Sequence, residues 1–243
     1  IEAVVAPDDV VFVAVAPDNV VVVEVAPHDV VVGEVNVGAV PLPDEAVTPD
    51  DVVVYNNKGY TLVSIGELHV KLAQHEEAIE SYRQALAAYD WVLQRAPDDV
   101  IVYSNKGRAF TRLGQLQTEL MQREEAAESY RQAIVACAEA LRRAPDDVYA
   151  HDNKGLVLLS LGQLQAELSQ HEEAVESYTQ AIAACDEVLG RTPDDADAHT
   201  NRGNALRSLG ELQAKMLQHE AAVESISMAS ASSMARSKAR ALW

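Results

Sequence analysis

From the middle of the first hundred residues onward, apolar positions fall three and four apart. Leu62, Ile65, Leu68 and Leu72 make one such stripe. After a polar interruption at 74–77 a second begins, with Ala78, Tyr82, Ala85, Leu86, Tyr89 and Leu93. Each is the one-sided pattern of an amphipathic α-helix. The pair then returns. Pro-Asp-Asp stands at Pro49, Pro97, Pro145 and Pro193, each step 48 residues. Asn57-Lys58-Gly59 recurs as Asn105-Lys106-Gly107, Asn153-Lys154-Gly155 and Asn201-Arg202-Gly203. Gly66, Gly114, Gly162 and Gly210 keep the same beat, as do Tyr82, Tyr130 and Tyr178. Such a period predicts one helix pair per copy. No single pair can bury its stripe, so the copies must stack.

Local signals agree with the helix ends. Asp50 or Asp51 is expected to cap the first helix, because a short carboxylate accepts from free backbone N–H groups. Glu76 and Glu77 fall in the first turn of the second helix, where the dipole favours negative charge. Arg95 falls in its last turn, and Pro97 stops it.

Several positions resemble the tetratricopeptide repeat (TPR). Tyr55, Gly59 and Leu62 match the aromatic, small and large positions of its first helix, and Ala78, Tyr82 and Ala85 the small–aromatic–small pattern of its second. Pro97 matches the terminal proline. The resemblance implies a mainly α fold, a TPR-type α-solenoid of antiparallel helix pairs. The usual unit is about 34 residues, so each copy is 14 longer. Seven extra residues fall in Glu67–Ala73 and seven in Ala87–Leu93, about two helical turns each. Lengthening both helices equally preserves their pairing, with Gly66 inside the first helix. The alternative is a break at Gly66 followed by a short extra helix. The expected domains are a Val-rich segment at 1–48, repeats at 49–96, 97–144, 145–192 and 193–225, and a degenerate helix or tail at 226–243.

The first forty residues are a different material. Seventeen are Val, too many β-branched residues for a comfortable helix. Ala-Pro-Asp or Ala-Pro-His recurs every ten residues at Pro7, Pro17 and Pro27. Turns there would separate short β-strands such as Val20–Val25. A low-complexity extension without a fold is the other reading. The chain opens on Ile1 without a basic n-region or an initiator Met, so a fragment or processed chain without a secretory signal is expected.

Charge narrows the function classes. The chain carries a net −19, and its first 57 residues hold eleven acidic side chains and no Lys or Arg. Phosphate backbones and anionic lipid need clustered cations, so neither nucleic acid nor a membrane surface is an expected partner. Only the tail, with Arg236, Lys238 and Arg240, is basic. Cytoplasm is the default location.

Candidate chemistry reduces to the repeat. Asp98-Asp99 and its equivalents read as caps. His75, His171 and His219 share one position with Arg123, a swap no metal site or general base would survive, and read as turn-packing residues. His151 and His199 stand where Tyr55 and Tyr103 stand, and read as packing residues. Cys137 and Cys185 replace Tyr89 and read as small core residues. No catalytic residue, metal or cofactor is expected, and no enzyme. The resemblance further implies a peptide-binding groove lined by the first helices, with Asn57, Asn105, Asn153 and Asn201 along it. A side-chain amide both donates and accepts, so it can grip a peptide backbone. Arg108, Arg112 and Arg207 in an acidic chain point to a protein or peptide partner with acidic or carboxylate groups. The competing reading of the asparagines is a bond to the neighbouring helix. The family's chaperone-tail clamp is not matched, because its cation positions hold Tyr149 and Asn153. A protein-binding scaffold is the expected function. A regulatory portion of a larger protein, or a self-assembling structural protein, are the rivals.

Overall fold

The computed structural model of the chain describes residues 10–14, 20–25, 30–32 and 49–241, with side chains from 51 to 218. Three strands, β1 (Val10–Ala14), β2 (Val20–Val25) and β3 (Val30–Val32), pair antiparallel in the order β1-β2-β3. Val10 stands opposite Glu24, and Val25 opposite Val30. The turns expected between them lie outside the described residues. Seven helices follow among the described residues: α1 (Pro49–Lys71), α2 (His75–Leu93), α3 (Val100–Glu119), α4 (Arg123–Arg143), α5 (Val148–Glu167), α6 (His171–Arg191) and α7 (Ala196–Ala241). The chain divides into two compact units, Ile1–Ala109 and Phe110–Trp243. No helix among the described residues is long and apolar enough to cross a membrane.

In the first unit α1 and α2 form an antiparallel hairpin. α1 runs unbroken through Gly66, so the long-helix form holds and the break does not occur. The reason Gly66 tolerates its poor helix propensity is steric. A Cβ built there would lie 2.5 Å from Cε1 of Tyr82, whose buried ring lies against the bare backbone. Gly59 receives Tyr89 in the same way, also at 2.5 Å. In the second unit Gly114 receives Tyr130 and Gly162 receives Tyr178, each at 2.7 Å. Gly155 meets the smaller Sγ of Cys185 at 3.0 Å, which is why a cysteine can stand in the place of Tyr89. Alanines occupy many of the other buried positions of each second helix. Ala126 and Ala133 pack with Tyr130, Val157 and Leu164, and Ala174 and Ala181 with Tyr178, Leu158, Leu159, Ala205 and Leu212. Small residues let the helices approach, and the rings fill what remains.

A polar tie accompanies each contact. Ser129 donates to Gln117 Oε1 at 2.6 Å and Ser177 to Gln165 Oε1 at 2.7 Å. In the first hairpin Ser81 Oγ lies 3.3 Å from His69 Nδ1. Twelve residues separate the partners every time.

The turns between paired helices are built alike. Ala73, Met121 and Ser169 take φ of 57°, 59° and 61°. Gln74 N–H donates to His69 O and Ala73 N–H to Val70 O, the two bonds of a Schellman end, and the other two turns repeat them. A side chain in this left-handed region costs ~1 kcal/mol or more relative to Gly, and none of the three is Gly. At the other connections Asp99, Asp147 and Asp195 accept from Val102, Ala150 and Ala198 N–H at 3.1, 2.7 and 2.8 Å, the expected caps. The first copy differs. α1 already begins at Pro49, so Asp50 and Asp51 lie within its first turn, where the dipole favours acidic residues. Arg95 also lies beyond the end of α2, donating to Trp91 O at 3.0 Å and stacking 3.9 Å from the Trp91 ring.

The fourth copy departs most. Its first helix does not turn: α7 continues for 46 residues. Ile226 stands where Tyr82, Tyr130 and Tyr178 stand, so no ring is available for Gly210, and nothing lies within 4 Å of a Cβ built there.

Two predictions follow from these contacts. Gly162→Ala should lower the melting temperature by circular dichroism, corresponding to ~1–3 kcal/mol of overpacking, although Ala is the better helix former. Gly210→Ala displaces nothing within a single chain, and at high dilution should be neutral or stabilising by up to ~1 kcal/mol. Ser169→Gly should stabilise by roughly 0.5–1 kcal/mol by relieving the left-handed residue, measured by urea titration.

Candidate functional site

The first helix of each hairpin carries the candidate groove residues, and each unit holds part of them. In the first unit Asn57 is half-buried on α1, and Asn105 on α3 donates from Nδ2 to Asn56 Oδ1 of α1 at 3.0 Å. Arg108, one turn on, reaches Glu67 Oε1 at 3.2 Å and lies 5.2 Å from the centre of the half-exposed Tyr60 ring. Burial works against the Arg108 charge, but the Tyr60 hydroxyl and the Glu67 carboxylate outweigh it and hold the guanidinium above its ordinary value.

In the second unit Arg112 on α3 donates to Gln115 Oε1 at 3.1 Å, and Gln115 donates onward to Ser160 of α5 at 3.2 Å. Asn153 is half-buried on α5 and Asn201 on α7. Asn201 hydrogen-bonds the Asp152 side chain. Asp152 sits one repeat pair beyond Asn56, so Asn105 and Asn201 make the same tie to the preceding first helix. Burial, then Asp195 and Asp197, push the Asp152 carboxyl up, with the Asn201 bond opposing. For these two asparagines the observed partner is the neighbouring helix.

Arg207 does not join Arg112. It holds the register position of Val63, Thr111 and Leu159, which are all buried, yet is itself exposed and bonds Asn204 Oδ1 at 3.4 Å. Its face is the one that a following helix pair covers in earlier copies.

The histidines divide. His75 and His171 open α2 and α6 with Nδ1 buried and without a hydrogen-bond partner, as suits turn packing. His219 lies where side chains are outside the description. His151 and His199 are not packing residues: each ring Nε2 meets a proline carbonyl, Pro145 at 2.9 Å and Pro193 at 2.8 Å, closing the loop before its own helix. Exposure at the helix start frees the ring to reach back. Cys137 and Cys185 are buried and free, with burial pushing the thiols up to about 12 and about 11. No group of His, Cys, Asp and Glu among the described residues has the arrangement of a metal site.

Sequence reasoning missed three features. Tyr55 stacks on Trp91 with centroids 4.0 Å apart, closing the open end of the first hairpin. Lys106 bridges Asp90, and Arg202 bridges Asp186, each at 2.5 Å from a first helix to the preceding second helix. The Gly–Tyr contact was legible only as two separate periodic residues. The sixteen-residue offset they share was the available signal.

The family model for the tetratricopeptide repeat matches residues 65–127, 118–177 and 168–231. A search of curated protein sequences finds no match. Among solved structures, the first TPR of Spaghetti (RPAP3) bound to the HSP90 peptide SRMEEVD is 19% identical over 64% of this chain and 95% of that one, with a TM-score of 0.32. The first TPR domain of human RPAP3 is 18% identical over 65% and 97%, with a TM-score of 0.34. The TPR2B domain of yeast Sti1, from a complex with pHsp70, is 20% identical over 62% and 98%, with a TM-score of 0.31. At these scores the likenesses decide nothing further. The helix pairs, the 48-residue register and the family match over more than half its length make this chain a member of the tetratricopeptide-repeat family, a class of α-solenoid built from protein-interaction modules.

Proposed function

We propose that the chain is a non-enzymatic scaffold that binds an extended peptide or partner protein along the exposed face of its first helices, in a cytoplasmic setting. The observation that carries this reading is the composition of that face. The second helices bury alanine and tyrosine, while register positions on the first helices keep half-exposed amides and guanidiniums in successive copies: Asn57, Asn105 and Arg108 in one unit, Arg112, Asn153 and Asn201 in the other. Asn105, Arg108 and Arg112 bond the side chains of Asn56, Glu67 and Gln115, and a peptide backbone offers comparable donors and acceptors in exchange. In this proposal Arg108 and Arg112 select for acidic side chains or a carboxylate, each within its own unit. The Glu67 contact of Arg108 is partly exposed, so it contributes little by itself and yields to a better-placed ligand carboxylate. Arg207, on the terminal face, has no part in it.

The full chain should be screened against a displayed peptide library, beside Arg108→Ala, Arg112→Ala and an Asn153→Ala variant of matched helicity. The expected result is enrichment of acidic peptides by the wild type, with roughly 10-fold or greater loss of affinity for the arginine variants, because a charge-assisted hydrogen bond contributes ~1.5–3 kcal/mol. The affinity should also fall with salt. Absence of any enriched peptide, or equal binding by the arginine variants, would overturn the assignment of this face.

A further inference from the structure

The end of the second unit carries an unfilled half of a repeat. Gly155 and Gly162 are buried under α6, but the equivalent Gly203 and Gly210 are exposed, with nothing within 4 Å of a built Cβ. Leu206 is 45% exposed, whereas Leu158 one copy earlier and Leu62 three copies earlier are each 3% exposed. This is the face a second helix covers in the earlier copies. The opposite side of α7 is already used, since Ala198, Ala205 and Leu212 are buried there and α7 packs on α5 and α6.

The chain also contains the segment that fits. Residues 219–231 keep the second-helix pattern, with Ala222 and Ala229 at the positions of the fully buried Ala78 and Ala85, and Ile226 at the position of Tyr82. In the structure this segment continues α7 as one unbroken helix and does not turn back onto the open face of its own chain. The open face of α7 and the second-helix pattern that follows it are complementary, and a second copy of the chain can supply the one to the other.

We propose that two copies of the chain associate through α7, each lending residues 219–241 as the second helix of the other's fourth repeat. α7 suits such a pairing. Its midpoint falls between Gln218 and His219, where the earlier copies place their turn. Two antiparallel copies crossing there set Ile226 beside the second copy's Gly210, the register of Tyr178 on Gly162. The same register sets Arg236, Lys238 and Arg240 beside the stretch of the second copy that bears Asp194, Asp195 and Asp197. The contact is isologous and closes on itself, so it ends at a dimer. It uses the second-helix face of α7 and does not depend on the peptide-binding reading.

Sedimentation equilibrium of the full chain should give twice 26.3 kDa in the micromolar range. Gly203→Leu with Gly210→Leu occupies the open face at two positions where a Cβ meets nothing of the chain's own fold, and should weaken dimerisation at least ~10-fold at unchanged helicity. Gly210→Cys with Ile226→Cys, mildly oxidised, should yield a covalent dimer on a non-reducing gel. A wild-type monomer throughout that range, a dimer indifferent to the two leucines, or a disulfide closed within one chain would each overturn the proposal.

Discussion

A tyrosine ring lying on a bare glycine is the contact on which the rest of this molecule depends. A long helix pair needs its two backbones close, and closeness at the middle of the pair demands the loss of a side chain on one side and a flat group on the other. Gly66, Gly114 and Gly162 supply the first, and Tyr82, Tyr130 and Tyr178 the second. The alanines on either side are then close enough to pack, and the serine tie falls within hydrogen-bond reach. Where the sequence has Ile226 instead of the ring, the chain does not fold back and α7 continues unbroken. Helix propensity alone would never choose glycine at these places. Packing overrides it at a cost of up to ~1 kcal/mol each, set against the burial of a whole aromatic side chain.

Most of the helical architecture could be read from the order of residues. The 48-residue beat fixed the copies, the three-and-four spacing fixed the helix pairs, and Asp99, Asp147 and Asp195 announced the starts of α3, α5 and α7. What could not be read followed from geometry that single positions do not carry. Ala73, Met121 and Ser169 give no hint of a left-handed turn, because the motif is imposed by the two helices it joins and not by the residue's own preference. Asp50 and Asp51 share the sequence of the later caps but sit inside a helix that starts earlier.

The candidate site was legible in part. The periodic asparagines were visible, but their partners were not: Asn105 finds Asn56, and Asn201 finds Asp152, so the amides bind the repeats to each other before any ligand arrives. Arg108 was found as a cation, while its roofing of Tyr60 and its pairing with Glu67 depend on neighbours 48 and 41 residues away. Arg207 was found as a cation too, but its exposure beside Asn204 at the register of the buried Val63, Thr111 and Leu159 could not be read from a helix-long stripe.

The spacing of the ties has a consequence for how the chain acquires its structure. The serine clamps join residues twelve apart, and the lysine and arginine bridges to aspartate join residues sixteen apart. The ties between successive first helices span 41 to 49. These contacts ask for chain ends no farther apart than about one copy, so the contact order is low and the loop-closure entropy of each step is small. Each hairpin can close as soon as its own 48 residues have left the ribosome, and its neighbour then docks on a surface already made.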